Sequence, residues 1–207
     1  MCVRTKEYEH AKVAIDAVLF TIRGSMLHVL LRQREKEPYT GRYELIAGFL
    51  LPGETAEETL ARKLKETIGK EPIFFQQFHT FTQPLRDPRG RVASIGFMAL
   101  INEQRAQHLD GWHDVEKLPA LAFDHKEIIT KARLYLKQNI NEVMAQHFLP
   151  DRFPLNKLQE AYEIIEGEVY DNRNFRKKMI TSDIVEETKD WEENVSHRPA
   201  RLYRFRR

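Results

Sequence analysis

The chain has 207 residues, 42% hydrophobic and 31% charged, with nine Gly, nine Pro and one Cys, which excludes collagen-like, low-complexity and broadly disordered chains. Its 33 Lys and Arg against 31 Asp and Glu leave a net charge of +2, so total charge selects no partner. The longest apolar runs, such as 14–20, fall short of a membrane span and contain Asp16, residues 1–7 lack the apolar core of a secretory signal, and lone Cys2 can form no internal disulfide. No membrane partner and a reduced, cytoplasmic setting are therefore expected.

In chain order, residues 13–22 (VAIDAVLFTI) read as a mostly buried strand, 23–25 as a turn and 26–32 as a second strand, together a hairpin. Residues 43–46 read as a short extended piece and 47–55 as a loop with Gly48, Pro52 and Gly53. A helix is predicted from Ala56, with Ala56, Leu60, Leu64 and Ile68 on one face and Glu58, Arg62 and Glu66 on another. Gly69 stops it, with Pro72 beyond. Residues 73–83 and 92–101 read as strands around the turn Asp87-Pro88-Arg89-Gly90, 112–119 as a loop, and 125–136 as a helix with Ile128, Ile129, Ala132 and Leu136 inward. Pro150 and Pro154 punctuate a composition shift. Beyond them Leu155, Leu158, Tyr162 and Ile165 have helical spacing up to Gly167. Asp171 is a good N-cap for a helix over 172–181, and 184–188 and 201–205 are candidate strands.

The loop and first helix carry the most specific pattern. A glycine loop lets backbone approach phosphates, and carboxylates three and four apart on a helix can share a hard cation that polarises phosphoryl oxygens. The chain reads Gly48, five residues, Glu54, seven residues, then Arg62-Lys63-Leu64-Lys65-Glu66-Thr67-Ile68-Gly69. This resembles the Nudix box, with Gly48, Glu54, Arg62, Leu64, Glu66 and Gly69 matching. Lys63 and Thr67 stand where the box carries glutamates, and Lys70 where it carries an apolar residue. Segments 43–48 and 118–125, with Trp112, also look like Nudix strand, loop and final-helix pieces. The resemblance implies a Nudix fold. The departures imply lost pyrophosphohydrolysis, because Lys63 places a cation in the metal-binding turn. Two like unit charges about 4 Å apart cost about 4 kcal/mol at an effective dielectric of 20, more for a dication. Glu66 is then expected to pair with Arg62 four residues earlier, with no catalytic residue, no metal site and no required cofactor, Mg²⁺ entering only with residual hydrolysis.

The C-terminal part pairs two helices across a short turn, and the second carries Arg173, Asn174, Arg176, Lys177 and Lys178 opposite inward Phe175 and Met179. Arg and Lys neutralise phosphates and read guanine, and Asn reads adenine. Residues 198–207 add five Arg and no acid. Segments 169–178 and 197–205, with the Asp87–Gly90 turn, resemble the NrtR family, transcriptional regulators that join a degenerate Nudix domain to a winged helix-turn-helix. A related branch answers to L-arabinose.

The resemblance, over about residues 10–206, implies an α/β Nudix fold, a mixed sheet sandwiched by helices, over 1–149. An α+β winged helix-turn-helix follows over 150–207. It further implies a homodimeric repressor of double-stranded operator DNA whose effector is ADP-ribose or a related NAD-derived nucleotide. Expected ligand contacts are Arg32, Arg42, Gly48, Phe49, Arg86 and Arg89. Expected DNA contacts are Arg173, Asn174, Arg176, Lys177 and Lys178, with His197, Arg198 and Arg201 from the wing. The alternatives are a divergent hydrolase of ADP-ribose-like substrates and a sugar-responsive regulator.

Overall fold

Side-chain alternation along the first strand sets the layers. The computed structural model describes residues 10–69, 73–193, 196 and 198–206. In β1 (Lys12–Arg23), Ile15, Ala17 and Leu19 pack with Leu60 and Leu64 of α1 (Ala56–Ile68). Val18 and Phe20 point the other way, onto Ile128, Ile129, Ala132 and Leu136 of α3 (His125–Asn139). The strand is buried on both faces and so reads as a continuous apolar run.

Strands β2 (Met26–Leu30), β6 (Phe74–Phe81), β7 (Val92–Leu100) and β8 (Trp112–Asp114) complete the order β6-β7-β1-β2-β8, and β5 (Ile46–Phe49) also pairs with β1. β7 runs parallel to β1 from Lys12 opposite Val92 to Phe20 opposite Leu100. The other edge of β1 is shared, antiparallel, by β5 against Ala14–Ala17 and by β2 against Phe20–Arg23. The β1–β2 hairpin closes through Gly24 and Ser25, both at positive φ, as a two-residue hairpin turn requires.

Three expectations change. Residues 47–49 are strand, because β1 offers them a free ladder. Residues 112–114, read as loop, form β8, which β2 pairs through His28, Val29 and Leu30. The second strand breaks at Leu31, after which β3 (Arg32–Gln33) pairs with β4 (Tyr43–Glu44). At that break Leu31 N–H donates to the Gly111 carbonyl at 2.9 Å, and a Cβ on Gly111 would sit 2.2 Å from the Leu31 carbonyl oxygen, so the approach requires glycine. The short helices α2 (Glu103–Ala106) and α4 (Glu142–Ala145) were invisible to periodicity, being about one turn each.

The C-terminal half is β9 (Phe153–Pro154), α5 (Leu155–Glu166), α6 (Asn172–Thr181), β10 (Val185–Trp191) and β11 (Arg201–Phe205), with sheet order β10-β11-β9. Its core joins Phe153, Leu158, Phe175, Met179, Val185 and Tyr203. The connector enters both halves: Met144 and Phe148 pack into the α3-side core, Ala145 and Leu149 into the C-terminal one. Ile165 of α5 also packs into the α3-side core, and Ser25 Oγ donates to Glu160 of α5, so the halves touch.

Candidate functional site

Ala14 and Asp16 share the face of β1 that carries Val18 and Phe20, so alternation puts them at the N-terminal end of α3. There they floor a cleft of about 160 Å³. Its walls are Arg32, Arg34 and Glu44 from β3–β4, Ala47, Gly48 and Phe49 from β5, Arg86, Asp87 and Arg89 from the β6–β7 connection, and Phe123 and His125.

Charged groups in the floor are paired. Asp16 accepts from Ser94 Oγ at 2.6 Å and from Arg86 Nη2 at 2.9 Å, and lies 3.3 Å from His125 Nε2. Leu45 N–H donates to His125 Nδ1 at 3.1 Å, which leaves the imidazole proton on Nε2, facing Asp16. Burial alone would raise the Asp16 carboxyl, but the His125 and Arg86 partners win and hold it at about 2. Arg86 also forks onto Asp124, Nε to Oδ2 at 2.8 Å and Nη2 to Oδ1 at 2.7 Å, tying the cleft floor to the residue that precedes α3. On the opposite wall Glu44 receives Arg34 at 2.6 Å and Arg32 at 3.3 Å.

Arg32, Gly48, Phe49, Arg86 and Arg89, expected as ligand contacts, thus meet in one cleft. Arg42 does not line it. It closes the turn after β3, its N–H on the Tyr39 carbonyl, and its guanidinium lies over the Tyr39 ring at 5.2 Å with Nη1 on the Leu121 carbonyl at 3.4 Å. Arg86 is turned inward, its side chain 5% exposed, so its fork is held by Asp16 and Asp124. Sequence reasoning missed Asp16, Arg34, Glu44, Asp87, Phe123 and His125. Asp16 had a signal, a lone acid inside an apolar strand.

The α1 end of the cleft shows what became of the box carboxylates. Thr55 caps α1 reciprocally with Glu58, fixing the helix start. Glu54 takes both Arg62 Nε and Nη2 at 2.8 Å, and chiefly that fork pulls its carboxyl down to about 2. Glu66 takes Lys63 Nζ at 2.7 Å, with Arg62 Nη1 at 3.6 Å. The Lys63 stem runs against Gly48, where a Cβ would meet Lys63 Cε at 2.7 Å. Thr67 donates its hydroxyl back to the Lys63 carbonyl at 2.9 Å. Among the described residues no group of three or more His, Cys, Asp or Glu is placed to hold a metal ion. Glu54 and Glu66 thus each face a tethered cation, Arg62 and Lys63.

In the C-terminal half, Asp171 accepts from Asn174 N–H at 2.8 Å and starts α6. Phe175 and Met179 are buried, while Arg173, Asn174, Arg176, Lys177 and Lys178 are exposed. Arg176 Nη2 donates to Tyr203 Oη at 2.7 Å, and its guanidinium lies 5.5 Å from that ring. Arg201 pairs with Glu187 at 2.8 Å and covers Trp191 at 4.5 Å, which braces the β10–β11 wing. Arg198 is exposed on the wing connection. His197, and Lys70 of the box, lie outside the described residues.

Comparison with known proteins gives two domain matches, a NUDIX domain over residues 10–132 and an NrtR DNA-binding winged helix domain over residues 145–205. The ADPR responsive transcriptional repressor NtrR of Acinetobacter baylyi is 32% identical over 96% of this chain and 84% of its own. The chain belongs to the NrtR family.

A second NrtR, from Shewanella oneidensis, has a crystal structure complexed with a 27mer DNA. It matches at TM-score 0.83 and 30% identity over 94% of this chain and 93% of that one. The NUDIX domain of the same protein, complexed with ADP ribose, matches at TM-score 0.50 and 30% identity over 64% and 92% of the two chains. The Nudix half is also similar to the ADP-ribose pyrophosphatase of Methanocaldococcus jannaschii, 35% identical over 59% of this chain and 73% of that protein. Within this NrtR-family chain, the cleft belongs to the NUDIX domain and α6 to the winged helix domain. No helix among the described residues is long and apolar enough to cross a membrane.

Proposed function

We propose that this protein is a transcriptional repressor whose Nudix cleft senses ADP-ribose and whose winged helix binds operator DNA. The observation that carries the reading is the union, in one chain, of an arginine-lined cleft with an exposed basic helix capped for insertion into a major groove. The whole-length likeness to an ADPR responsive repressor and to a DNA-bound NrtR supports both ends. Arginine forks suit a diphosphate and aromatic rings suit a base, so Arg32, Arg89, Gly48 and Phe49 are its proposed contacts, with Arg86 setting the floor. On DNA, Arg173 and Asn174 are the proposed base readers. Arg176, Lys177, Lys178, Arg198 and Arg201, with His197, are the proposed phosphate or shape contacts. The protein works as a homodimer, since paired half-sites demand a two-fold partner, and in the cytoplasm with its operator. Residues 1–149 and 150–207 are its sensing and DNA-binding domains.

The same reading makes it a sensor rather than a hydrolase, with no required cofactor. Arg62 and Lys63 neutralise Glu54 and Glu66, which a pyrophosphohydrolase of this pattern would present to Mg²⁺. Incubation with ADP-ribose and Mg²⁺, followed by chromatography for AMP, is expected to show no turnover in the ordinary enzymatic range of about 1–1000 per second. Turnover in that range would make the chain a hydrolase. Calorimetry that detects arabinose binding and no ADP-ribose binding would favour the sugar-responsive reading.

A further inference from the structure

The Arg89 guanidinium lies 5.4 Å from the centroid of the Phe49 ring and 5.2 Å from that of Phe123, both lining the cleft. We propose that these two rings form the slot for the ligand's nucleobase and that Arg89 is the slot's built-in occupant, which must swing out, to where its fork meets the diphosphate, before a base can enter. The proposal rests on the ADP-ribose-sensing reading and adds to it a gate and a place for the adenine.

Phe123 is aimed rather than merely buried. Its φ of +50° is one an L side chain rarely adopts, and such strain persists where surroundings fix a side chain's direction. Tyr39 meets it edge-on at 5.0 Å, and His125 lies tilted against it at 5.4 Å. Phe49 ends β5 and is 37% exposed, a large apolar ring kept at the cleft mouth. Guanidinium and adenine are both flat and delocalised, and both stack on aromatic faces, so the position Arg89 fills is one a base fits.

Size agrees with displacement. Small-ligand sites run to about 300–1,000 Å³, and this cleft holds about 160 Å³. Arg89 is the wall that can move. Its side chain is 43% exposed, and its fork, Nε to Oδ1 at 2.9 Å and Nη2 to Oδ2 at 2.6 Å, is onto Asp87, two residues away on the same turn, so the tether is local. Arg34, also near the Phe123 face at 4.9 Å, is fixed by Glu44 and by the carbonyls of Pro38 and Glu37. Removing the Arg89 side chain therefore opens the slot and leaves Asp87 the Arg89 backbone N–H at 2.9 Å, a loss the folding check covers.

The test is a titration of wild type, Arg89→Ala and Phe49→Ala with adenosine, ribose 5-phosphate and ADP-ribose. It is read by nuclear magnetic resonance shifts, which reach millimolar constants, with folding checked by circular dichroism. Adenosine carries the base without phosphate, so Arg89→Ala is expected to bind it roughly threefold to thirtyfold tighter than wild type, the range set by two cation–π contacts. Phe49→Ala is expected to weaken adenosine, and ribose 5-phosphate should gain nothing from Arg89→Ala. Adenosine bound no tighter by Arg89→Ala, while wild type binds ADP-ribose, overturns the gate and leaves the sensor standing. Failure of ADP-ribose to bind both wild type and Arg89→Ala overturns the sensor reading and the slot with it.

Discussion

Asp16 governs the residue scale. A buried carboxylate is tolerated when its oxygens are hydrogen-bonded and its charge is answered: Ser94 and His125 supply the hydrogen bonds and Arg86 the charge. With its folded pKa lowered from 3.8 to about 2, the stability Asp16 contributes is fully present above pH 4 and is lost as pH falls towards 2. Arg86→Met removes the guanidinium from Asp16, so the acid-unfolding midpoint should move to higher pH. At pH 7 the loss of the fork from Asp124, with Asp16 left to Ser94 and His125, should cost about 3–5 kcal/mol in urea unfolding. An unchanged midpoint and stability would show that Ser94 and His125 suffice. Individual contacts were the least legible part of the chain. That Arg86 exists near a turn is written in the sequence, but its inward fork depends on Asp16 and Asp124, 70 and 38 residues away. Arg42 was misplaced because a turn, whose geometry no periodicity records, aims it at Leu121.

At the scale of elements, periodicity and caps were enough for most of the molecule. The apolar run 13–22, the α1 face Leu60–Leu64 and the α5–α6 pair all reappear, since each buries one face against a neighbour. The failures were pieces whose identity comes from a partner. Residues 47–49 and 112–114 become strands only because β1 and β2 present unpaired backbone to them. Within α6, burial of Phe175 and Met179 leaves the charged side outward, and the roles of its cations separate by their bonding. Arg173 and Lys177 have no ion pair among the described residues, whereas Arg176 is braced on Tyr203. On the upstream region of its own operon, Lys177→Ala should weaken all sequences alike and reduce the salt slope by about 1, while Arg173→Ala should cost about 1–3 kcal/mol and relax specificity at one base. Equal binding by both variants at matched salt, with α6 intact by circular dichroism, would remove this helix as the reader.

At the scale of the whole molecule, the cleft and the DNA-facing helix are joined by packed elements. Asp124, tied to Arg86, precedes α3. α3 shares a core with Ile165 of α5, and α5 packs on Phe175 of α6. A ligand that moves Arg89 and the Arg86–Asp87 turn has a route of side-chain contacts to the winged helix, and a linked change at two sites is reciprocal. Neither the join between the halves nor its direction was visible in periodicity, because Ile165 sits on an ordinary helical face whose partner lies in another domain. Such a route would let ADP-ribose in the Nudix cleft alter DNA binding by the winged helix. Fluorescence anisotropy of a labelled fragment from upstream of the protein's operon, titrated with protein at fixed salt with and without saturating ADP-ribose, measures it directly. ADP-ribose is expected to shift the dissociation constant by about 5- to 150-fold. Identical curves, at ligand concentrations that calorimetry shows to saturate the cleft, would contradict it.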